Sequence, residues 1–256
     1  MKKFQRVPLQ PTAFGKDFLE EVFDRVYIIN LVDRVDRKAE MTAQLALIGL
    51  ASDDPLVEWV AASRPTDRGD FPSVGARGCF QSHLDILGRA VAGGYRSILI
   101  LEDDVDWTRA ALSFDPTTLS ELLNTDWKLL HGGHGADGYM SAEGGLTLEP
   151  MNPAEDVLLT HFIGLRDEAI PAAHAHLGAL LTRPKGSSQG GPMHVDGAYT
   201  WLRRGNPGMA SYICRPSLAR QRPSMSDVTP PSGWRSLPGV GKTLGTLRHL
   251  RKKLGV

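Results

Sequence analysis

Three consecutive acidic residues, Glu102, Asp103 and Asp104, follow the uninterrupted aliphatic run 98–101. Mg²⁺ and Mn²⁺ prefer oxygen ligands and typically take one or two protein carboxylates, with substrate phosphates and water completing the coordination. In an extended chain Glu102 and Asp104 point to the same side. A strand end whose acids cap the next turn is the alternative. Because acids directly on a buried strand cost stability unless something pairs with them, the triplet favours a cation site.

A second polar segment, NLVDRVDRKAEM, covers residues 30–41. The carboxylates of Asp33 and Asp36 could accept hydrogen bonds from a base or a ribose. The guanidinium groups of Arg34 and Arg37 could bind phosphate oxygens in bidentate geometry. Solvated charges at the start of a helix, with Asp36 as its N-cap, are the alternative.

Several histidines and one late aspartate are further candidates. His83 lies on the apolar face of a predicted helix, where it is either a ligand or a hydrogen-bonded core histidine. Asp196 follows a glycine-rich loop and precedes an aromatic helix. It is either an N-cap or a general base for an acceptor hydroxyl. His161 and His194 are candidates to complete a metal site. The two cysteines are far apart in the sequence, and we interpret both as buried thiols.

The elements that must position these residues alternate between strand and helix patterns. Strands are predicted at 26–31, 57–62, 97–105, 127–132, 156–165 and 209–214, and helices at 36–48, 76–92, 166–181 and 194–204. Such alternation predicts an α/β fold with a mostly parallel sheet flanked by helices. Ligands of these sheets bind at the carboxyl ends of the strands, which is where the acidic triplet lies.

The charge is distributed unevenly along the 256 residues. The 29 basic and 29 acidic residues give a formal net charge of zero, which argues against a chain built wholly for nucleic acid. Residues 228–256 nevertheless carry six basic and no acidic residues. We therefore divide the chain into a domain of residues 1–227 and a basic tail, 228–256.

Leucines at helical spacing within the tail predict an amphipathic helix over 242–254 that contacts an anionic membrane. A solvated tail is the alternative. No apolar run approaches the roughly 20 residues of a membrane-spanning helix, and the first residues lack a secretory signal. We expect a cytoplasmic protein, peripheral on the inner face of the inner membrane.

Four stretches together resemble glycosyltransferase family 25, which includes bacterial lipopolysaccharide-core and lipooligosaccharide glycosyltransferases and collagen galactosyltransferases. They are YIINLVDRVDRKAEM (27–41), GARGCFQSHLDIL (75–87), ILILEDDV (98–105) and GPMHVDGAYTWLRR (191–204). QRPSMSDV (221–228) also resembles the closing segment of one bacterial branch. Residues 75–78 read Gly-Ala-Arg-Gly where the family often has Gly-Glu-Ile-Gly.

The resemblance implies a GT-A-like fold, a UDP-sugar donor, inversion at the anomeric carbon, and Mn²⁺ or Mg²⁺ at a DXD-type acidic motif. Glu102 and Asp104 match the metal motif, and Asp196 matches the late carboxylate, which we assign as the catalytic base. The residues that match the nucleotide-sugar-binding motifs are Asn30, Leu31, Asp36, Arg37, Ser82, His83 and Asp103.

The predicted function is that of a metal-dependent inverting glycosyltransferase. It would transfer a hexose from a UDP-sugar to a cell-surface glycan such as a lipopolysaccharide core, with a glycan or a lipid-linked molecule as acceptor. Two alternatives are a metal-dependent phosphohydrolase of nucleotide sugars and a non-catalytic assembly module on a glycosyltransferase scaffold.

Overall fold

The computed structural model describes residues 14–112, 120–122, 124–135 and 146–222. The predicted basic tail, 228–256, lies outside the described residues, and with it the predicted helix over 242–254. None of the helices in the described ranges is long and apolar enough to cross a membrane.

The first half of the chain alternates between helices and strands, as predicted. Its elements are α1 (Lys16–Val22), β1 (Arg25–Asn30), α2 (Val35–Leu47), β2 (Val57–Ala61), α3 (Val74–Ala92) and β3 (Ser97–Glu102). The second half contains β4 (Val105–Trp107), α4 (Arg109–Leu112), β5 (Leu129–Gly133), β6 (Thr147–Pro150), β7 (Phe162–Arg166), α5 (Ala169–Leu181), α6 (Val195–Gly205), β8 (Ser211–Arg215) and β9 (Ala219–Gln221).

These strands form a nine-stranded sheet in the order β2-β1-β3-β7-β5-β8-β6, with β9 paired to both β4 and β5. β1 is parallel to β2 and β3, and β8 and β9 are parallel to β5. β7 is antiparallel to β3 and β5, β6 to β8, and β4 to β9. Only β4, β6 and β7 of the described strands therefore run against the common direction. The predicted α/β fold with a mostly parallel sheet and flanking helices is confirmed.

Alternate residues of the central strands enter two hydrophobic cores, one on each face of the sheet. Val26 and Ile28 of β1 belong to the core that includes residues of α1 and α2. Tyr27 and Ile29 belong to the core that includes residues of α3, α5 and α6. Because both faces are covered, every position along β1 after Arg25 is buried, and the strand does not alternate between apolar and polar residues.

Two elements of the second half begin later than the sequence pattern indicates. The strand predicted over 156–165 begins at Phe162, because Leu159 has a φ of 73° that interrupts the extended chain. The helix predicted from Arg166 begins at Ala169, because Arg166 still belongs to β7 and Asp167 has a φ of 52°. Neither residue with left-handed backbone is a glycine, so the strongest sequence signal for this conformation was absent at both positions.

Candidate active site

The acidic triplet lies at the carboxyl edge of the parallel strands. β3 ends at Glu102, and Asp103 and Asp104 form the turn that leads into β4. β1 is the parallel neighbour of β3 and ends at Asn30. The ends of both strands therefore meet at the edge where α/β sheets bind their ligands.

Asp103 joins the end of β3 to β1 and α2. Its Oδ2 accepts a hydrogen bond of 2.7 Å from Nδ2 of Asn30, and its Oδ1 accepts one of 3.1 Å from Nη1 of Arg37. Asp103 is 5% exposed and Arg37 is 8% exposed, so this charge-assisted bond is shielded from water. The structure thus brings two of the residues predicted to bind the nucleotide sugar, Asn30 and Arg37, into direct contact with a third, Asp103.

Asp104 is buried beside this group and keeps one carboxylate oxygen unpaired. Its Oδ2 accepts a hydrogen bond of 3.3 Å from Nε2 of Gln221 and lies 3.8 Å from Nη1 of Arg37. Its Oδ1 is buried and has no hydrogen-bond partner among the described residues. Burial raises the pKa of Asp104, and the nearby Arg37 charge lowers it by less.

Glu102, unlike Asp104, has no cationic partner within the part of the chain that the structure describes. Its Oε1 accepts a hydrogen bond of 3.1 Å from Oγ1 of Thr160. Burial raises the pKa of Glu102, and the charge of Asp104 raises it further. Asp104 is buried and Glu102 is partly buried, and two such carboxylates that repel each other, one with an unpaired oxygen, fit a divalent cation, which would offset both effects.

Cys79 and His83 approach the acids from α3. One ligand atom from each of Cys79, His83 and Glu102 can be chosen so that all three atoms lie within 4.8 Å of one another. Nδ1 of His83 lies 3.1 Å from the hydroxyl of Tyr199 on α6, and its Nε2 is buried with no hydrogen-bond partner among the described residues. These three side chains could therefore hold a metal ion. Cys79 is partly exposed, which corrects its interpretation as a buried thiol, whereas Cys214 is buried.

Asp196 belongs to the same edge of the sheet. It lies in the first turn of α6, whose N-cap is His194, so the interpretation of Asp196 as an N-cap is wrong. Its Oδ1 accepts a hydrogen bond of 2.7 Å from the backbone N–H of Gly197, and its Oδ2 accepts one of 3.3 Å from that of Leu159. The charge of Asp196 also raises the pKa of Glu102, which is a sign of their proximity.

Leu31 and Asp36, which were also predicted to bind the nucleotide sugar, do not contact Asp103 in the hydrogen bonds described above. The backbone oxygen of Leu31 accepts a hydrogen bond of 2.8 Å from the N–H of Arg34. Asp36 is exposed and pairs with Arg34, which lowers the pKa of Asp36 to about 2. α2 begins at Val35 with Arg34 as N-cap, so Asp36 is not the N-cap either.

Ser82 is buried and fastens α3 to the segment after β2. Its hydroxyl accepts a hydrogen bond of 2.9 Å from the N–H of Ser63 and donates one of 2.8 Å to the backbone oxygen of Gly78. Its only hydroxyl proton is therefore engaged within the protein.

The two histidines considered for the metal site are not members of the Cys79 group. Nε2 of His161 lies 3.1 Å from the backbone oxygen of Ala219, and His194 is exposed. The sequence reasoning missed Cys79. The available signal was its position in a predicted helix, four positions before His83, since residues four apart share a helix face.

Two solved structures resemble this fold at low sequence identity. One, described as a glycosyltransferase involved in the glycosylation of the major capsid of PBCV-1, has 11% identity and a TM-score of 0.46, and the match covers 77% of this chain and 93% of that one. The other, A197 from STIV, has 12% identity and a TM-score of 0.33 over 82% of this chain and 98% of that one. The sequence matches no protein-family model and no curated protein.

Proposed function

We propose that this chain is a metal-dependent inverting glycosyltransferase that transfers a hexose from a UDP-sugar. The observation that carries the proposal is the pair Glu102, partly buried, and Asp104, buried, at the carboxyl edge of the sheet, with an unpaired oxygen on Asp104. Support also comes from the resemblance to glycosyltransferase family 25, because residues from all four of its stretches lie around this pair.

Glu102 and Asp104 would hold Mn²⁺ or Mg²⁺. When bound, such a cation neutralises the negative charge that develops on a departing diphosphate. This position is supported from the β1 side by Asn30 and Arg37. Both donate hydrogen bonds to Asp103 and so link β1 and α2 to the turn after β3. The nucleoside of the donor would bind along this β1 side, against residues 30–37.

Asp196 would act as the general base. Backbone N–H groups of Leu159 and Gly197 hold its carboxylate, so its orientation is set before an acceptor arrives. In the transfer step the acceptor hydroxyl gives its proton to Asp196 and its oxygen bonds to the anomeric carbon. The bond from that carbon to the diphosphate oxygen breaks, and its electron pair leaves with UDP.

The acceptor in this proposal is a cell-surface glycan, such as a lipopolysaccharide core, or its lipid-linked precursor. The basic segment 242–254 would bring the enzyme to the inner face of an anionic membrane, where lipid-linked acceptors are available. Each basic residue near such a surface contributes about 1 kcal/mol of attraction.

The direct test measures UDP release from UDP-glucose, UDP-galactose and their N-acetyl forms, with and without Mn²⁺, in the presence of candidate glycan acceptors. Asp104→Asn should lower the metal-dependent rate by about 100-fold or more, as expected when a preorganised electrostatic contact in a dry site is removed. Asp53→Asn is the matched control, because Asp53 is exposed and lies before β2, at the opposite edge of the sheet.

Three outcomes count against the proposal. Absence of metal-dependent turnover for every donor contradicts it directly. Metal-dependent release of UMP and sugar 1-phosphate without any acceptor favours the phosphohydrolase. Equal cellular glycan with Asp104→Asn and with the unmodified chain favours the non-catalytic assembly module.

A further inference from the structure

Cys79, His83 and Glu102 come from two elements whose packing brings them together. Cys79 and His83 are four positions apart on α3 and therefore lie on one face of this helix. Glu102 is the last residue of β3. The ligand atoms chosen from the three side chains lie within 4.8 Å of one another, and no other group of three in the described ranges meets this spacing.

The donor set has the chemistry of a transition-metal site. A thiolate and an imidazole are common ligands of Zn²⁺, and a carboxylate completes many zinc sites, whereas Mg²⁺ and Mn²⁺ prefer oxygen donors. Ligand atoms around a tetrahedral zinc ion are about 3.3–3.8 Å apart, given bond lengths of roughly 2.0–2.3 Å. Small rotations of these side chains would therefore be enough to close around an ion.

His83 supplies an independent indication of a ligand. It is 0% exposed, and its Nε2 has no hydrogen-bond partner among the described residues, which leaves a buried polar atom unsatisfied. Its other nitrogen, Nδ1, lies 3.1 Å from the hydroxyl of Tyr199. Histidine ligands commonly donate their second ring N–H to such a partner, which fixes the tautomer and directs the free nitrogen to the metal.

The electrostatic surroundings also favour a cation. Burial raises the pKa of the Cys79 thiol, and so do the charges of Glu102, Asp196 and Asp104. Without a cation, these carboxylates oppose a thiolate at position 79. A divalent ion reverses this preference, because it coordinates the thiolate and is attracted by the same carboxylates.

We propose that Cys79, His83 and Glu102 bind a zinc-class transition-metal ion, with one coordination position open to water or another ligand. The site would share Glu102 with the proposed Mn²⁺ or Mg²⁺ site and would select a softer ion through Cys79 and His83. This inference does not depend on glycosyl transfer, since binding is measured without donor or acceptor.

The test uses Co²⁺ as a spectroscopic probe of the untagged full-length chain. One equivalent should produce the intense visible bands of a tetrahedral site and a sulfur-to-cobalt charge-transfer band in the near ultraviolet. Zn²⁺ should abolish both. Cys79→Ser should remove the charge-transfer band, and His83→Gln should weaken Co²⁺ binding by about tenfold or more.

Cys214→Ala is the matched control, because Cys214 is the other thiol of the chain and lies in β8. This variant should keep the charge-transfer band. A second measurement on the unmodified chain avoids any effect of substitution on folding: Zn²⁺ should slow alkylation of Cys79, located by peptide mass mapping. Absence of the sulfur band in the unmodified chain, its persistence in Cys79→Ser, or alkylation unaffected by Zn²⁺ would each overturn the proposal.

Discussion

The side-chain amide of Asn30 donates a hydrogen bond of 2.7 Å to Asp103 and thereby links the ends of β1 and β3. Arg37 binds the other oxygen of the same carboxylate from α2. Asp103 therefore stabilises the fold at the edge where the proposed substrate would bind. The contribution of Asp103 to stability can be measured without a nucleotide.

Asp103→Ala should destabilise the fold strongly. Removal of the carboxylate takes away the anion that lies nearest to the buried guanidinium of Arg37 among the described residues, and breaking such a pair costs about 3 kcal/mol of unfolding free energy. Asp103→Asn, which keeps a hydrogen-bonding oxygen, should lose less. Chemical denaturation measures the unfolding free energy of both variants. Asp33→Ala is the control, because Asp33 and Arg64 form an exposed ion pair, and it should change the unfolding free energy by less than about 1 kcal/mol. Equal losses at positions 33 and 103 would contradict the assignment.

Gly78 is required by the close approach of α3 to the segment after β2. A Cβ at this position would lie 2.5 Å from the backbone oxygen of Ser63. Gly78→Ala should therefore cost about 1–3 kcal/mol of unfolding free energy through overpacking. Gly178→Ala is the matched control in α5, because nothing lies within 4 Å of its Cβ position. That substitution should stabilise the chain by about 0.5–1 kcal/mol through helix propensity. Relative to the unmodified chain, the midpoint temperature of thermal unfolding should fall for Gly78→Ala and rise for Gly178→Ala.

The sequence predicted the first half of the fold well because its signals there are local. The run that forms β3 is wholly aliphatic and ends in three acids, so both the strand and the placement of Glu102 at a sheet edge followed from the pattern. The short strands β4, β6 and β9 were missed, since three or four residues are too few to show a period. The proximity of Cys79 to Glu102 was also missed, because it depends on how α3 packs against the sheet.

His131 should make the fold sensitive to acid. It lies within β5, is 1% exposed, and neither ring nitrogen has a hydrogen-bond partner among the described residues. Burial lowers the pKa of His131 to about 3, and the positive charges of Arg203, His134 and His161 act in the same direction. In the unfolded chain His131 binds a proton near pH 6.5, whereas in the folded chain it does so only near pH 3. The contribution of neutral His131 to the unfolding free energy is therefore fully present above pH 6.5 and decreases as the pH falls towards about 3.

The measurement compares the unfolding free energy of the unmodified chain and of His131→Leu near neutral pH and about two units lower. The variant should lose less stability on acidification, by about 1.4 kcal/mol for each pH unit below the unfolded value. His194→Gln is the control, because His194 is exposed, and it should keep the dependence of the unmodified chain. Parallel curves for all three proteins would show that His131 does not contribute.

The basic segment 242–254 should bind anionic membranes. Lys252→Glu combined with Lys253→Glu should reduce partition onto acidic vesicles by about tenfold or more, because each basic residue contributes about 1 kcal/mol. Co-sedimentation with vesicles of phosphatidylglycerol measures the effect, and neutral phosphatidylcholine vesicles provide the baseline. Equal recovery of the unmodified chain with both kinds of vesicle would show that the segment is a solvated tail.

Asp196→Asn should separate catalysis from donor binding. Loss of a general base typically lowers turnover by about 100- to 10,000-fold. The amide oxygen can still accept the shorter backbone hydrogen bond, from Gly197, whereas the amide nitrogen cannot accept the longer one from Leu159, so most of the local structure should persist. We therefore expect kcat to fall while the affinity for the UDP-sugar, measured by calorimetry with Mn²⁺ present, stays within a few-fold of the original. Asp156→Asn, which removes only an exposed ion pair with Arg204, should leave both quantities unchanged. A parallel loss of donor affinity in Asp196→Asn would instead place this carboxylate on the donor side and leave the base to another residue.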